Sequence, residues 1–360
     1  MAASDLRLVW SSPHAVLTPV PQQNGVIVVK TDPWRVELLT EEGVRLWSLP
    51  GRGVVVRVET DITTFLMNSA EPSAELVAVS AEGNVIRRTS VAGLVTAIAV
   101  GDGFRGVRKS MRGQGLYELV AIRVTSPEGD QAVHALGQPD RWDYGVATNG
   151  RSLFLGRHQA LACLNANDGK EVWSSSMEPV QVDAASGKMW PVVEGTRVIA
   201  NGAWGIIAFD IETGVRGWHY MDPCWKSVHQ GTVYCLSKNY AALDAATGKV
   251  LVFSTLAKRV REKFAGKGTG RARGELNFAR PTLWGDWVYF GDDMGSLWAI
   301  EKTTGEPVWS HKPKGCVGFL NALPVVYGNR LYISSYSFDP TKPSAVYCYE
   351  REEPVTERDG

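Results

Sequence analysis

Ten residues of this 360-residue chain carry the groups from which a binding or catalytic site could be built. His229 and Asp143 are candidates for general acid–base work, because imidazole and carboxylate groups exchange protons near neutral pH. Arg280 and Lys226 are candidates for stabilising negative charge that develops in a reaction. Aromatic and amide side chains would hold a polar or anionic organic ligand by stacking and hydrogen bonding. These ligand-binding candidates are Tyr144, Trp190, Trp225, Asn277, Phe278 and Asn321.

Other motifs in the chain lack the context that their chemistry needs. Residues 101–106 match G-x-G-x-x-G, but no helix-forming segment follows to present its N-terminus to a pyrophosphate. The glycines of residues 266–270 lack the spacing of a phosphate-binding loop. The six histidines show no metal-ligand spacing, and Asp292 and Asp293 are typical of a capped turn rather than of a calcium site. The sequence therefore predicts no cofactor and no metal.

The sequence contains a repeat of strands and turns, and these strands must position the candidate residues. Its clearest copies are LACLNANDGKEVW, IIAFDIETGVRGW, AALDAATGKVLVF and LWAIEKTTGEPVW. Each copy predicts two short strands joined by a polar turn, whose glycine supplies the positive φ that a tight hairpin requires. The turn glycines, including more divergent copies, are Gly43, Gly83, Gly129, Gly169, Gly214, Gly248 and Gly305.

An aromatic residue recurs in the strand after several of these turns. Trp47, Trp173, Trp218 and Trp309 each follow a turn glycine by four residues, and Trp10 stands in a similar strand near the N-terminus. A ring at a fixed place in each repeat buries a large apolar area. We therefore expect these tryptophans to wedge between neighbouring repeats.

The repeat predicts an all-β fold, an eight-bladed β-propeller. Dividing 360 residues by eight gives 45 per blade, which suits four short strands. Residues 6–11 form an outer strand with nothing before it, and residues 345–350 form an inner strand with no outer strand after it. Their pairing would complete the last blade, close the ring and remove an open sheet edge. A seven-bladed ring with loose ends is the alternative.

The turn pattern resembles a known repeat family. The segments Asn165 to Trp173, Asp210 to Trp218 and Thr304 to Trp309 resemble the pyrroloquinoline-quinone-like repeat of quinoprotein dehydrogenases, most clearly over residues 150–350. Non-enzymatic propellers such as the bacterial outer-membrane assembly lipoprotein share this repeat. The resemblance implies an architecture and not a chemistry. The dehydrogenases use a calcium-bound quinone and commonly a vicinal disulfide, but this chain has no adjacent cysteines, so we expect no quinone.

The two ends of each predicted blade differ. The turns that join the first to the second strand and the third to the fourth strand lie at one end, here called the Gly-turn end. The turn between the second and third strands and the link to the next blade lie at the opposite, connection end. Links at the connection end are irregular in length. We expect one propeller domain over residues 1–352, a basic insertion over 255–276 that could cover the channel mouth, and a polar tail over 353–360.

Bulk composition narrows the classes of function. The formal net charge is zero, so the chain lacks the basic character of a nucleic-acid-binding protein. Residues 1–13 lack the pattern of a secretory signal, no long apolar run predicts a membrane span, and the five scattered cysteines favour a reducing, cytoplasmic compartment.

Two hypotheses about function remain open. One is a binding or scaffold propeller that holds a protein, a peptide or a small anionic ligand at its connection ends. The other is an enzyme, such as a lyase or cyclase of specialised metabolism, with its active site at the channel mouth.

Overall fold

The computed structural model describes residues 6–69, 71–110, 116–124, 131–135, 145–157, 160–178, 190–202, 204–264, 279–316, 318–319, 323–336 and 343–351. These residues form 32 β-strands and one α-helix. The strands make eight four-stranded antiparallel sheets, which are the blades of a β-propeller. The predicted fold class is confirmed.

Blades 1 to 4 follow one another along the first half of the chain. Blade 1 consists of β2 (Ala15–Gln22), β3 (Gly25–Thr31), β4 (Trp34–Leu39) and β5 (Arg45–Pro50). Blade 2 consists of β6 (Gly53–Val58), β7 (Ile62–Met67), β8 (Glu75–Ser80) and β9 (Val85–Ser90). Blade 3 consists of β10 (Leu94–Val100), β11 (Gly103–Lys109), β12 (Tyr117–Val124) and β13 (Gln131–Ala135). Blade 4 consists of β14 (Val146–Thr148), β15 (Ser152–Arg157), β16 (Ala160–Asn165) and β17 (Glu171–Ser176).

Blades 5 to 8 complete the set. Blade 5 consists of β18 (Val192–Glu194), β19 (Arg197–Gly202), β20 (Gly205–Asp210) and β21 (Arg216–Tyr220). Blade 6 consists of β22 (Trp225–His229), β23 (Thr232–Leu236), β24 (Tyr240–Asp244) and β25 (Val250–Ser254), and the helix α1 (Leu256–Phe264) follows it. Blade 7 consists of β26 (Thr282–Trp284), β27 (Trp287–Gly291), β28 (Leu297–Glu301) and β29 (Pro307–His311). Blade 8 consists of β30 (Val325–Tyr327), β31 (Arg330–Ser334), β32 (Ala345–Arg351) and β1 (Leu6–Pro13).

Blade 8 is assembled from both ends of the chain. Strand β1 pairs antiparallel with β32, from Leu6 opposite Arg351 to Pro13 opposite Ala345. The predicted closure is therefore confirmed, and its strands run slightly longer than the predicted 6–11 and 345–350. Among the described strands, β1 is the one that pairs with the outer edge of β32, and it satisfies the backbone groups there.

The chain divides into two compact units. One contains Met1–Leu46, Trp225–Leu243 and Val250–Gly360, and the other contains Trp47–Cys224 and Asp244–Lys249. The described helix α1 is too short and too polar to cross a membrane, and no other helix occurs among the described residues.

Four tryptophans tie a blade to the turn of the next blade. Each indole N–H donates a hydrogen bond to a backbone carbonyl beside the next turn glycine, so a buried or half-buried ring also satisfies its polar atom. The pairs are Trp10 with Glu41 (2.7 Å), Trp47 with Ala81 (3.1 Å), Trp173 with Ile211 (3.1 Å) and Trp218 with Ala245 (3.0 Å). Trp309 instead packs against the edge of Tyr349 in blade 8. The predicted wedge role is confirmed for all five.

Between blades 6 and 7, other side chains fill the place of the tryptophan. Val252 stands four residues after Gly248, at the place of the tryptophan. The Tyr240 hydroxyl donates to the carbonyl of Lys302 at 2.7 Å in the turn of blade 7, and Leu256 and Val260 of α1 are buried in the same cluster. The first part of the basic insertion is therefore core between blades 6 and 7. Its apolar face replaces the missing ring. The expected role of the insertion as a cover over the channel mouth stays a prediction, because residues 265–276 lie outside the described residues.

Candidate functional site

The described residues contain five of the ten predicted site residues. Trp190, Trp225, Lys226, His229 and Arg280 are among them. The other five lie outside the described residues, and their predicted roles stay predictions: Asp143, Tyr144, Asn277, Phe278 and Asn321.

The structure brings two predicted residues, Trp225 and Arg280, together. Trp225 begins β22 and Arg280 lies just before β26, so both stand where the first strand of a blade starts, at the connection end. The Arg280 guanidinium lies 5.0 Å from the centre of the Trp225 ring, a cation–π contact. The amide of Ala279 donates to the carbonyl of Gly291 at 2.8 Å and fixes the segment that carries Arg280. Burial lowers the pKa of Arg280, because desolvation disfavours its charged form.

His229 is held away from this pair. It ends β22, and Gln230 and Gly231 turn the chain with φ values of 48° and 76°. Four strand residues span about 13 Å, so His229 lies at the Gly-turn end while Trp225 lies at the connection end. Lys226 follows Trp225 directly, and neighbouring side chains of a strand point to opposite faces of the sheet. The described part of the predicted acid–base set is thus not gathered at one point.

Exposed aromatic and methionine side chains collect at the connection ends of the blades. In the first compact unit they are Trp34 at the start of β4, and Met294 and Tyr336 in the second-to-third-strand links of blades 7 and 8. Phe253, near the end of the outer strand β25, is also exposed. In the second unit they are Trp190, Trp204 and Met221. The Gly-turn ends expose mainly valines, such as Val44 and Val215, with Tyr327 as the described aromatic exception. The two ends of a blade therefore differ in chemistry as well as in loop length.

The backbone beneath these exposed side chains is fixed by hydrogen bonds. The Trp190 amide donates to Asn201 Oδ1 at 3.2 Å, and the Tyr336 amide donates to the Gly318 carbonyl at 2.9 Å. Arg35 Nη1 donates to the carbonyl of Asp32 at 3.0 Å and braces the turn that presents Trp34. A fixed backbone lowers the entropy lost when a partner binds.

Asp292 also fixes the local backbone, with three hydrogen bonds to its carboxylate. Its Oδ1 accepts from the amides of Met294 (2.9 Å) and Ser296 (2.8 Å), and its Oδ2 accepts from Trp298 Nε1 (2.8 Å). Burial nevertheless raises the pKa of Asp292, because the loss of solvent outweighs these donors. The predicted turn cap is what the structure shows, and both carboxylate oxygens are used by N–H groups rather than left for a metal.

Cysteine spacing and metal-ligating clusters bear on the expectation of no quinone. None of the five cysteines is adjacent to another in sequence. Within the described ranges, no group of three His, Cys, Asp or Glu side chains is placed to hold a metal ion. The absence of a quinone stays a prediction.

Sequence reasoning missed Asn201, Met294 and Tyr336 as parts of a surface. The available signal was position: each lies in or beside a link at the connection end, the end whose irregular loops had been singled out. Trp34 and Trp204 could have been found in the same way, as large aromatic residues next to turn residues.

Comparisons with known proteins agree on the architecture. The family model described as outer membrane protein assembly factor BamB matches residues 93–227 and 222–341. No protein of curated function matches the chain by sequence. Among solved structures, BamB from Moraxella catarrhalis is 17% identical with a TM-score of 0.65, and the match covers 97% of this chain and 98% of that one.

Two quinoprotein structures are also similar. The quinohemoprotein alcohol dehydrogenase ADHIIG from Pseudomonas putida is 11% identical with a TM-score of 0.65, covering 99% of this chain and 79% of that one. A europium-containing methanol dehydrogenase is 11% identical with a TM-score of 0.64, covering 96% and 93%. At these identities the likeness is one of fold.

Proposed function

Because the chain belongs to the family described as the outer membrane protein assembly factor BamB, we propose that it is a binding protein that holds a protein partner at the connection ends of its blades. The observation that carries the proposal is the set of exposed aromatic and methionine side chains on fixed backbone at those ends. Such residues are enriched in protein–protein interfaces, whereas valines scattered singly on a surface are ordinary.

Three consecutive blades of the first compact unit each present one such side chain. Trp34, Met294 and Tyr336, called here the connection-end triad, are 41%, 43% and 45% exposed. Each therefore buries part of its side chain against its own blade and leaves the rest for a partner. Trp and Tyr are also the residue types that most often dominate binding energy, because they offer large area at low cost in conformational entropy.

We place this binding protein in the cytoplasm. All five cysteines are free, and all but Cys224 are buried. Burial raises the pKa of the Cys316 thiol to about 11 and that of Cys348 to about 12, because the thiolate is poorly solvated there. Buried thiols of this kind are inert core residues, which supports a compartment in which thiols stay reduced.

The proposal is tested by comparing two variants of the purified full-length chain as bait. Trp34→Ser with Tyr336→Ser removes two rings of the connection-end triad. Val44→Ser with Tyr327→Ser removes two exposed apolar side chains at the Gly-turn ends of blades in the same unit. Proteins captured by wild type and by each variant are quantified by mass spectrometry, and each candidate partner is purified and titrated.

We expect one partner to be lost with the connection-end variant and kept with the Gly-turn-end variant. Two hot-spot side chains contribute about 2 kcal/mol each, so the purified partner should bind the connection-end variant at least about a hundredfold more weakly. Equal binding to both variants, with unchanged melting temperatures, contradicts the proposal.

A further inference from the structure

Strand β1 is connected to the rest of the chain through a single residue. It ends at Pro13 in blade 8, and β2 begins at Ala15 in blade 1, so His14 alone lies between the two blades. The other links from an outer strand to the next blade are longer, as at residues 51–52 and 91–93. The shortest link between blades therefore holds the strand that completes blade 8.

His14 has a left-handed backbone conformation, with a φ of 60°. Residues other than glycine rarely adopt this conformation, because their Cβ atom crowds the following carbonyl oxygen. Here it turns the chain from β1 into β2, and the His14 carbonyl accepts a hydrogen bond from the Thr31 amide at 2.8 Å. The turn that keeps β1 on its own blade is therefore strained, and an extended His14 would relieve the strain.

The residues on either side of His14 favour an extended backbone. The proline ring fixes φ of Pro13 near −65° and biases Ser12 toward the extended region. Pro13 and Ala15 already belong to strands. An extended His14 would join β1 and β2 into one strand over residues 6–22, roughly 55 Å long at the rise of a β-strand. Such a strand would carry β1 away from the rest of its own blade.

A second copy of the chain offers the same contacts to β1. The backbone of β1 pairs with β32, and Trp10 donates to the Glu41 carbonyl. The buried Lys30 ammonium donates to the Ser12 hydroxyl and to the carbonyl at the end of β1. When β1 of each copy fills blade 8 of the other, all of these bonds form between chains. A strand of unrelated sequence would lack the indole N–H and the hydroxyl.

Exposed rings lie on both sides of the hinge. On the blade 1 side, Thr31 donates to the hinge carbonyl and is the cross-strand partner of the exposed Trp34. On the blade 8 side, the Ser335 amide donates to the carbonyl of Ala345, the residue opposite the end of β1. The exposed Tyr336 follows Ser335. Two copies joined by exchanged strands meet at their hinges, so these rings add apolar area to the contact between them.

We propose that two copies of this chain exchange β1, so that the N-terminal strand of each copy completes blade 8 of the other. The hinge is His14, which is left-handed in the closed chain and extended in the exchanged dimer. The contacts of β1 are the same in both forms, so relief of strain at the two hinges favours the dimer. Exchange requires no other protein and is independent of the function proposed above.

The hinge is tested by two opposite substitutions at His14. His14→Gly removes the strain, because glycine adopts positive φ without a steric cost, whereas His14→Val increases it, because a β-branched residue is disfavoured there. Each dimer contains two hinges, so we expect the dimerisation constant to fall about tenfold or more with Gly and to rise about tenfold or more with Val. Samples are held a few degrees below the melting temperature over a range of concentrations. Size-exclusion chromatography with light scattering then measures the dimer fraction.

Gln230→Gly and Gln230→Val are the matched controls. Gln230 has a similar φ of 48° but joins β22 to β23 within blade 6, so its substitution changes the strain without releasing a terminal strand. We expect these variants to change the melting temperature in the same directions as the His14 variants and to leave the dimer fraction unchanged.

A disulfide identifies which chain supplies β1. Arg7 and Glu350 lie opposite each other in β1 and β32 and form an ion pair at 3.4 Å. Arg7→Cys with Glu350→Cys places two thiols across this pair, and Cys224→Ser removes the cysteine that is not buried. The dimer fraction is oxidised and run on a denaturing gel without reductant. Exchanged dimers give a covalent dimer, whereas dimers formed through another surface give single chains.

Three results overturn the proposal: no dimer of His14→Val at any concentration, equal responses to Gly and Val at the hinge, or only single chains from the oxidised dimer fraction. The chain with Arg7→Cys alone must also run as a single chain, since a covalent dimer there would show that two chains crosslink without exchange. If His14→Val does not fold, the cysteine pair in a chain with an unchanged hinge decides, and the absence of a covalent dimer contradicts exchange.

Discussion

At the scale of single residues, blade cohesion depends on pairs of a tryptophan and a glycine. A Cβ atom at Gly214 would lie 2.5 Å from Cδ2 of Trp173, and one at Gly248 would lie 2.5 Å from Cγ of Trp218. Both glycines also have positive φ, near 70°. The glycine is therefore needed twice, once for the turn and once so that the indole of the preceding blade can reach the turn's carbonyl.

Gly214→Ala separates these two requirements when it is compared with Gly195→Ala. Gly195 has a similar φ of 56°, but a Cβ there meets no atom within 4 Å. We expect Gly195→Ala to cost about 1 kcal/mol of unfolding free energy through backbone strain alone. Gly214→Ala should cost about 1–3 kcal/mol more, because Trp173 must shift. Urea unfolding of both variants measures the difference.

The fluorescence of Trp173 provides a second measurement. Displacement of Trp173 should weaken its hydrogen bond to Ile211 and change its fluorescence emission in Gly214→Ala but not in Gly195→Ala. Equal losses of stability in the two variants would mean that the close approach of Trp173 has no energetic consequence.

At the scale of elements, helix α1 belongs to the packing between blades. Leu256 and Val260 lie on one side of the helix, four residues apart, and are fully buried against Tyr240 and the sheet of blade 7. The Ala257 amide donates to the carbonyl of Lys238 at 3.0 Å, and Arg259 forms an ion pair with Glu306. Lys258 is exposed. The polar side of the helix faces solvent while its apolar side completes the core.

We expect Leu256→Ala to cost about 2–5 kcal/mol of unfolding free energy, because it opens a cavity between blades 6 and 7. Lys258→Ala, on the exposed side of the same helix, should change the free energy by less than about 0.5 kcal/mol. Chemical unfolding of the two variants tests this. If the two changes cost the same, the helix is not part of the core.

The turns and the strand order could be predicted from the sequence because each repeat contains its own turn glycine and its own pattern of apolar strand residues. The glycine turns, the limits of α1 and the pairing of β1 with β32 follow from spacing and hydrophobic pattern. The burial of α1 could not be predicted in that way. Val252 is smaller than the tryptophan of the repeat and leaves a gap, which residues of the following segment fill. Whether such a gap is filled depends on side-chain packing and cannot be predicted from the spacing of the repeat.

The candidate site was less predictable for a similar reason. Their position at the start of a blade predicts Trp225 and Arg280 as site residues, and the structure brings them into contact. Sequence proximity alone predicts His229 near them. The turn residues Gln230 and Gly231 mark His229 as the end of its strand, so the separation could have been read from the turn signal.

At the scale of the whole molecule, the N-terminal strand joins the last blade to the first. Strand β1 covers the outer edge of β32, and Trp10 donates to the Glu41 carbonyl in blade 1. Lys30 of blade 1 is buried, and its Nζ donates to Ser12 Oγ and to the Pro13 carbonyl, both at 2.5 Å. Burial lowers the pKa of Lys30, and the ammonium is stabilised by these two acceptors of β1 and by the nearby Glu37 carboxylate.

Removing residues 1–13 should therefore do more than shorten the chain. It would expose the edge of β32, with the apolar sequence AVYCY, and leave the Lys30 ammonium without its acceptors. We expect the truncated chain to lose its sharp thermal transition and to form oligomers through the open edge, because an unpaired strand is a template for further pairing. Size-exclusion chromatography with light scattering, followed by thermal denaturation, measures both effects.

Removing residues 1–5 is the matched control, since it keeps all of β1 from Leu6 to Pro13. A synthetic peptide of residues 6–13 provides the rescue: it should bind the longer truncation by adding a strand to β32 and return the oligomers to the size of the full-length protein. A Trp10→Ala peptide should rescue less well, because it pairs with β32 but cannot bond to the turn of blade 1. A truncation that keeps the size and the melting temperature of the full-length chain would show that the first blade and the last hold together without this strand.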